Sequence, residues 1–451
     1  CERRARPATI SAPCDTPTAV TPSRPRQRSP SAGLSHPLCT FDSMRLLHTS
    51  DWHLGRQFHQ SSLLEEQSDA VDVMVEMARS ERIDAVIVAG DLFDRSIPST
   101  GAVELLDDAL FRLRDTGALV IAITGNHDSA TRTSFGDRLL TRAGVTIRAD
   151  VTRLAEPVVV TDARSAAGDH AVAVYPVPYL DPVTASLNPI GPTADEDDDD
   201  LRPLRRRATH QSVLTDALRQ VRTDCKRRDL QSVVVAHAFV ANFAPTLEDA
   251  PVEESDSERP LAVGGTDRVD QSTFAGIDYV ALGHLHGQQA WDGGRIAYSG
   301  SPLAYSFSEQ HHRKGARLVE LSTDGVATTQ HVELGVGRGL ATITGDLEHL
   351  MVLPEHSAAE QMRVRALLTD AHLPSGAMAR LRHRFPWAAE VVHQPPERTR
   401  GAALHTSTQV RRRQPLDLAT EFVSEQWDAD LGADAVSVLR KAVTAVVGMD
   451  R

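Results

Sequence analysis

The sequence predicts an α/β fold on three observations. From residue 44 to about 300, short apolar runs alternate with segments of helical period, the layout of strand–helix–strand units. The clearest run, Ile83 to Ala89, stops at Gly90-Asp91. Four other apolar runs also end in Asp, Asn or His. Sheets of this kind carry their ligand-binding groups at the carboxyl ends of the strands, so the run ends are the candidate site.

A chain of 451 residues is too long for one ordinary core, and two or three domains are expected. No stretch approaches the roughly 20 apolar residues of a membrane span, so no membrane partner is expected. Formal net charge is −13. Residues 1–43 carry six Arg against Glu2, Asp15 and Asp42, leaving −16 on the remainder. Bulk charge would therefore not hold this protein on nucleic acid; metal ions and a local basic surface would have to do so. Cys1, Cys14 and Cys39 lie in the first 43 residues and only Cys225 in the body. That argues against a disulfide framework and fits a reducing cytoplasm.

Residues 1–43, rich in Pro, Ser, Thr and Arg, read as a disordered tail or as an over-extended gene start with Met44 the true beginning. They have no continuous apolar core of a signal peptide. Arg45 to Thr49 is a strand leading into Ser50-Asp51-Trp52-His53. A helix follows with Leu64, Val71, Met74, Val75 and Ala78 inward. After the Asp91 strand comes a second helix, capped by Ser99 or Thr100 and stopped by Gly117, with Val103, Leu106, Leu110 and Leu113 inward. Strand Ala118 to Thr124 then delivers Gly125-Asn126-His127-Asp128.

Further strands are expected at Val158 to Thr161 and at Ala171 to Tyr175, the latter closing on Pro176 and Pro178. Residues 187–209, with Asp195 to Asp200 and then Arg202 and Arg205 to Arg207, read as a solvated insertion. A helix over about 211–226 precedes strand Ser232 to Ala236, which ends at His237. Strand Ile277 to Leu282 ends at Gly283-His284-Leu285-His286, and Arg295 to Tyr298 opens Ser299-Gly300-Ser301. Beyond about 335 no cluster of metal-type residues occurs, and this part reads as a separate module. Arg411 to Pro415 splits off a final amphipathic helical pair, about 416–447.

Asp51 and His53 stand two apart, as do His284 and His286, and in strand geometry i and i+2 share a side. With Asp91, Asn126 and His237 this makes seven candidate ligands of mixed oxygen and imidazole type. So rich a set suits two divalent ions bridged by Asp91, and the imidazoles favour Mn, Fe or Zn over Mg. No thiolate takes part, against a structural zinc. An ion pair of this kind activates a water and steadies an in-line displacement at phosphorus, so phosphoester hydrolysis is the expected reaction. His127, beside Asn126, is spare for substrate as a charge stabiliser or proton donor.

Asp51-x-His53, Gly90-Asp91-x-x-Asp94, Gly125-Asn126-His127-Asp128, His237 and Gly283-His284-x-His286, in this order, resemble the calcineurin-like metallophosphoesterases. Four finer stretches resemble the double-strand-break repair nucleases within that superfamily. These are Asp51 to Gly55, Glu258-Arg259-Pro260-Leu261, Tyr279 to His286, and Tyr298 to Pro302 with Tyr305-Ser306-Phe307-Ser308-Glu309 and Lys314-Gly315. The resemblance is strong over about 44–320.

It implies a two-sheet sandwich flanked by helices over 44–334, a small α+β capping module over 335–415, and a helical partner-docking segment over 416–451. It implies one metal held by Asp51, His53, Asp91 and His286 and another by Asp91, Asn126, His237 and His284. Manganese is the usual ion, and Mg, Fe and Zn stay open. His127 would be catalytic. Asp94 would pair with it, or simply cap the following loop. Tyr305, Ser306 and Lys314 are candidate contacts to the DNA backbone. Trp52 reads as packing or as an aromatic that stacks on a base, and Asp128 as a turn former.

The expected function is a two-metal DNA nuclease for repair, recombination and replication. It would act as an exonuclease on double-stranded ends and as an endonuclease on single strands and hairpins. The implied partners are DNA, a coiled-coil ATPase and a second copy of the chain in a heterotetramer, in the cytoplasm at the nucleoid. The alternative is a stand-alone phosphoesterase acting on cyclic nucleotides or other small esters.

Overall fold

The computed structural model describes residues 43–162, 170–187, 208–242, 252, 254–258, 261, 268–322, 325–396, 415–427 and 431–448. The expectations for residues 1–42, for 188–207 within the charged insertion, and for Arg259, Pro260 and Arg411 to Arg413 fall outside these residues.

The strands of the first half are β1 (Met44–Thr49), β2 (Ala85–Ala89), β3 (Leu119–Ile123), β4 (Val145–Arg148), β5 (Val158–Thr161) and β6 (Ala171–Val177). Then follow β7 (Gln231–His237), β8 (Tyr279–Gly283), β9 (Gln289–Trp291), β10 (Ile296–Tyr298), β11 (Gly315–Ser322) and β12 (Gly325–Glu333). Two six-stranded sheets result, in the orders β12-β11-β1-β2-β3-β4 and β9-β10-β8-β7-β6-β5. In the first, β1 to β4 run parallel; in the second, β6, β7, β8 and β10 do.

The parallel strands are apolar on both sides because both faces are covered. Between the sheets lie Leu46, Ile87, Ile121, Val174, Val233, Val235 and Ala281. On the outer face of the first sheet Leu47, Val86, Val88 and Val120 meet helices α1 (Leu64–Ser80) and α2 (Thr100–Asp115). On the outer face of the second, Tyr175, Val234 and Val280 meet α3 (His210–Arg228). The order helix, sheet, sheet, helix is the expected sandwich.

Helix α2 is capped as expected, the Ser99 side chain accepting from the Ala102 N–H. Its inward face is shifted, however. Ala102, Leu106, Ala109, Leu110 and Leu113 are buried, whereas Val103 is 48% exposed. The spacing 102, 106, 109, 113 is one helical face, and Val103 lies a step round from it.

Strand β6 also runs past its expected end, through Pro176 to Val177. There its only partner is β7, because pairing with β5 stops at Val174. A residue without an N–H is tolerated where one side of a strand has no ladder to serve.

The sheets touch most closely at their carboxyl ends. A Cβ on Gly283 would overlap the carbonyl of Ala89, so only glycine permits this approach. Beyond the sandwich, β13 (Leu340–Gly345), β14 (Arg363–Leu368) and β15 (Ala388–His393) form a parallel three-stranded sheet. It packs on α4 (Leu347–Val352) and α5 (Ala377–Arg384) through Ile343, Leu350, Val364, Leu381 and Phe385. Arg363 reaches back to α1, donating to both carboxylate oxygens of Glu66 at 2.9 Å. The terminal pair α6 (Pro415–Trp427) and α7 (Ala433–Gly448) forms near the expected bounds.

Candidate metal centre

Five strand ends converge where Gly283 meets Ala89. Sheet one supplies Asp51 after β1, Asp91 after β2 and Asn126-His127 after β3. Sheet two supplies His237, the last residue of β7, and His284 and His286 after β8. Main-chain bonds tie these ends together. The Asp51 N–H donates to the Gly90 carbonyl at 3.1 Å and the His53 N–H to the Asp91 carbonyl at 2.9 Å. Across the sheets, the His284 N–H donates to both carboxylate oxygens of Asp51 at 3.1 Å.

Asp51 and His53 do not continue the strand, contrary to the i, i+2 expectation. Their φ angles are +53° and +44°, and Asp91 is also left-handed at +50°. Each such non-glycine residue costs roughly 1 kcal/mol or more. The reversal bends the chain so that the Asp51 and His53 side chains face the same small volume as His286.

Among the described residues, three groups have ligand atoms within 4.8 Å of one another: Asp51, His53 and His286; His53, Asp91 and His127; and Asp51, Asp91 and His237. Asp91 Oδ2 is shared by two histidines, 3.6 Å from His53 Nε2 and 3.5 Å from His237 Nε2. Its other oxygen accepts the His127 N–H at 2.9 Å. Asn126 Oδ1 is 2.8 Å from His237 Nε2. His284 enters none of the three groups; its ring packs on His237, 5.4 Å between centroids.

Burial sets the charge states. It lowers the pKa of His53 and His284 far below the usual imidazole range and lowers His237 and His286 as well. Asp51 is pushed well up, by burial first and then by the Asp91 charge. Asp128 is raised to about 7 by the same two causes, against three N–H donors from Gly125, Phe93 and Leu92. Those three bonds are the work of a turn former.

Neutral histidines offer lone pairs, and here they aim them at acceptors. His237 Nδ1 lies 3.0 Å from the Ala89 carbonyl and so carries the proton, which leaves the Nε2 lone pair facing Asp91 Oδ2. His53 Nε2 meets His286 Nε2 at 3.1 Å, and buried His53 Nδ1 has no hydrogen-bond partner. The His237 lone pair turned on a carboxylate, beside two imidazole nitrogens that face each other at His53 and His286, suits cations, and the imidazole and carboxylate donors fit divalent metal ions.

Asp94 does not form the expected carboxylate–histidine pair. Its carboxylate takes Arg56 at 3.0 Å, and its main-chain carbonyl takes His127 Nδ1 at 2.9 Å. Tyr305 and Lys314, the candidate DNA contacts, are turned inward and bound within the protein. Tyr305, 5% exposed, donates its hydroxyl to the carbonyls of Asp51 and Trp52 at 3.1 and 2.7 Å. Lys314 Nζ is bound to the His286 carbonyl, Ser301 Oγ and Glu309. Ser306 is half-buried and contacts Ser308 Oγ and Glu309. Trp52 is buried, its Nε1–H on Thr49, which is the packing role rather than a stacking one.

Sequence reasoning gave no role to three supporting residues, two of which, Glu258 and Glu309, lie in the stretches that carry the resemblance. Gln67 donates to the carbonyls of Trp52 and His53 and accepts the Gly55 N–H. Glu258 accepts the His286 N–H at 2.7 Å. Glu309 is buried among Ser255, Ser257 and Lys314. For Gln67 the only signal was a polar residue on the apolar face of a helix.

Residues 44–288 match the calcineurin-like phosphoesterase family. The chain belongs to that family, and it is a metal-dependent phosphoesterase. Within it, the chain is 31% identical over 306 residues to the SbcD component of the SbcCD nuclease of Staphylococcus saprophyticus, covering 68% of this chain and 73% of that one. It is thus a relative of the SbcD nucleases.

Among solved structures it is similar to the protein TT1561 of Thermus thermophilus, at 12% identity and a TM-score of 0.34, over 64% of this chain and 99% of that one. It is also similar to a dimetal phosphatase of Danio rerio, at 14% identity and a TM-score of 0.35, over 64% and 98% of the two chains. Among the described residues no helix is long and apolar enough to cross a membrane.

Proposed function

We propose that this protein is a two-metal DNA nuclease that cuts phosphodiesters in double-stranded ends exonucleolytically and in single strands and hairpins endonucleolytically. One observation carries the two-metal reading: Asp91 Oδ2 lies 3.6 Å from His53 Nε2 and 3.5 Å from His237 Nε2, so one oxygen serves two ligand groups. Asp51, His53, Asp91 and His286 would hold one ion, and Asp91, Asn126, His237 and His284 the other, with manganese as the ion used. When bound, the ions supply a nucleophilic water at neutral pH and neutralise charge on the phosphoryl group.

The chain's own residues do the rest. Asp91 keeps one oxygen for the metals and commits the other to the His127 N–H, which fixes the loop of the catalytic histidine. The Asp94 carbonyl accepts from His127 Nδ1–H, so the ring is oriented by main chain; in the imidazolium form His127 can pass its Nε2 proton to the leaving oxygen and return to the neutral Nδ1–H form.

DNA as substrate, and work in repair, recombination and replication, rest on the relationship to SbcD. So does a coiled-coil ATPase partner of the SbcC kind in a heterotetramer with two copies of this chain, in the cytoplasm at the nucleoid. The sheet of β13 to β15 would cap the site, with the Glu66–Arg363 pair as its hinge contact. The α6–α7 pair would dock the ATPase. In support, Phe422 on α6 and Val438 on α7 are 62% and 68% exposed.

The test is digestion of a hairpin-ended duplex with manganese, with and without the ATPase, beside a small phosphodiester. Cleavage of the hairpin that rises with ATPase and ATP is expected. Activity on the small ester alone would replace this reading with that of a stand-alone phosphoesterase.

A further inference from the structure

The stretch from Tyr305 to Lys314 contacts no DNA in the reading above, yet it lies against the metal-type residues of the first group. Glu309 is 1% exposed, and its carboxylate pairs with the Lys314 ammonium at 2.5 Å. Glu309 Oε2 also accepts the Tyr305 N–H at 3.2 Å. Glu309 Oε1 is in close contact with Ser257 Oγ, which in turn lies 2.7 Å from His286 Nδ1. The direct distance from His286 Nδ1 to Glu309 Oε1 is 3.4 Å.

We infer that Glu309 is a positioning residue that selects the tautomer of His286 through Ser257. With Lys314 and the Tyr305 N–H upon it, Glu309 is a carboxylate and can only accept. Ser257 therefore donates its single hydroxyl proton to Glu309. Its oxygen is left to accept, and the only donor that reaches it from the imidazole is Nδ1–H. His286 Nε2 is then the lone pair, and it points at His53 Nε2, 3.1 Å away. The carboxylate behind the ring also makes His286 a stronger ligand. Lys314 has a second part, since its bond to the His286 carbonyl at 2.8 Å fixes the main chain of the same residue.

The inference rests on the metal-centre reading above, and the test separates the two. Manganese binding to the full chain is followed by titration, with unfolding measured in parallel. Failure of the wild-type protein to bind manganese would remove the metal-centre reading itself. Given binding, E309Q is expected to weaken one class of sites roughly 10–100-fold while leaving any other class unchanged.

E309Q also strands a buried ammonium, and Lys314 itself holds the His286 carbonyl, so the double variant E309Q/K314M is read against K314M alone. It is expected to regain the melting temperature and to bind manganese more weakly than K314M does. Recovery of metal affinity to that of K314M together with stability would show Glu309 to be only the partner of Lys314 and would overturn the inference. So would wild-type affinity in E309Q.

Discussion

His127 is held by Asp94 through the main chain: its Nδ1 lies 2.9 Å from the Asp94 carbonyl oxygen, while the Asp94 carboxylate is 3.0 Å from Arg56. A substitution at 94 therefore leaves the acceptor in place. Asp94→Ala is expected to cost less than about tenfold in cleavage, or roughly 1.4 kcal/mol. His127→Ala should cost about 10²–10⁴-fold with metal content unchanged. Steady-state rates beside metal analysis decide this, and a D94A loss as large as that of H127A would restore the carboxylate to the catalytic role.

Asp91 faces two histidines through one oxygen. Asp91→Ala should lower metal occupancy at both sites, whereas His237→Ala should empty one and spare the other. Mass spectrometry of metal content per chain gives the answer. Loss of a single ion in D91A would end the bridging assignment.

Tyr305→Phe removes one hydroxyl that donates to two buried carbonyls. The expected loss is about 1–3 kcal/mol of stability in urea unfolding. Affinity for DNA, measured in EDTA, should not change. A weaker complex at unchanged stability would make Tyr305 a DNA contact after all.

His48 is buried between the sheets, with Nδ1 2.9 Å from the Tyr279 hydroxyl and Nε2 3.1 Å from the Leu282 carbonyl. Burial, and then the charge of Arg317, lowers its pKa to about 3. The folded form stays neutral while the unfolded chain takes up a proton below about pH 6.5. The unfolded state thus binds more protons as pH falls, and stability drops from about pH 6.5 towards 3. For His48 alone the loss is about 2 kcal/mol by pH 5. The metal-free protein should therefore melt lower at pH 5 than at pH 7, and His48→Gln should flatten that slope. An unchanged slope would place the acid sensitivity elsewhere.

What could be read from the sequence was whatever local order enforces. Asp91, Asn126 and His237 each follow an apolar run that reads as a covered strand, so their place at strand carboxyl ends was legible from the order of residues alone. The helix faces were legible to within one residue; Val103 was misplaced because two neighbouring positions suit the same periodicity.

The roles of Tyr305 and Lys314 were not legible. A loop of Tyr, Ser and Lys has the composition of a phosphate-binding surface, and only tertiary packing turns it inward. The left-handed turns at Asp51 and His53 were hidden for a similar reason. Aspartate and histidine tolerate that region without announcing it, as glycine would.

The contact of Gly283 with the Ala89 carbonyl gives the molecule an unusual point of weakness. Asp51 and Asp91 leave from one sheet, while His237, His284 and His286 leave from the other. The distance between the two halves of the centre is thus the thickness of the sandwich at that one point. A single methyl group at 283 would act as a wedge driven into the seam. Every ligand would survive it, each still correctly attached to its own sheet, and the centre would nonetheless be split into two incomplete halves.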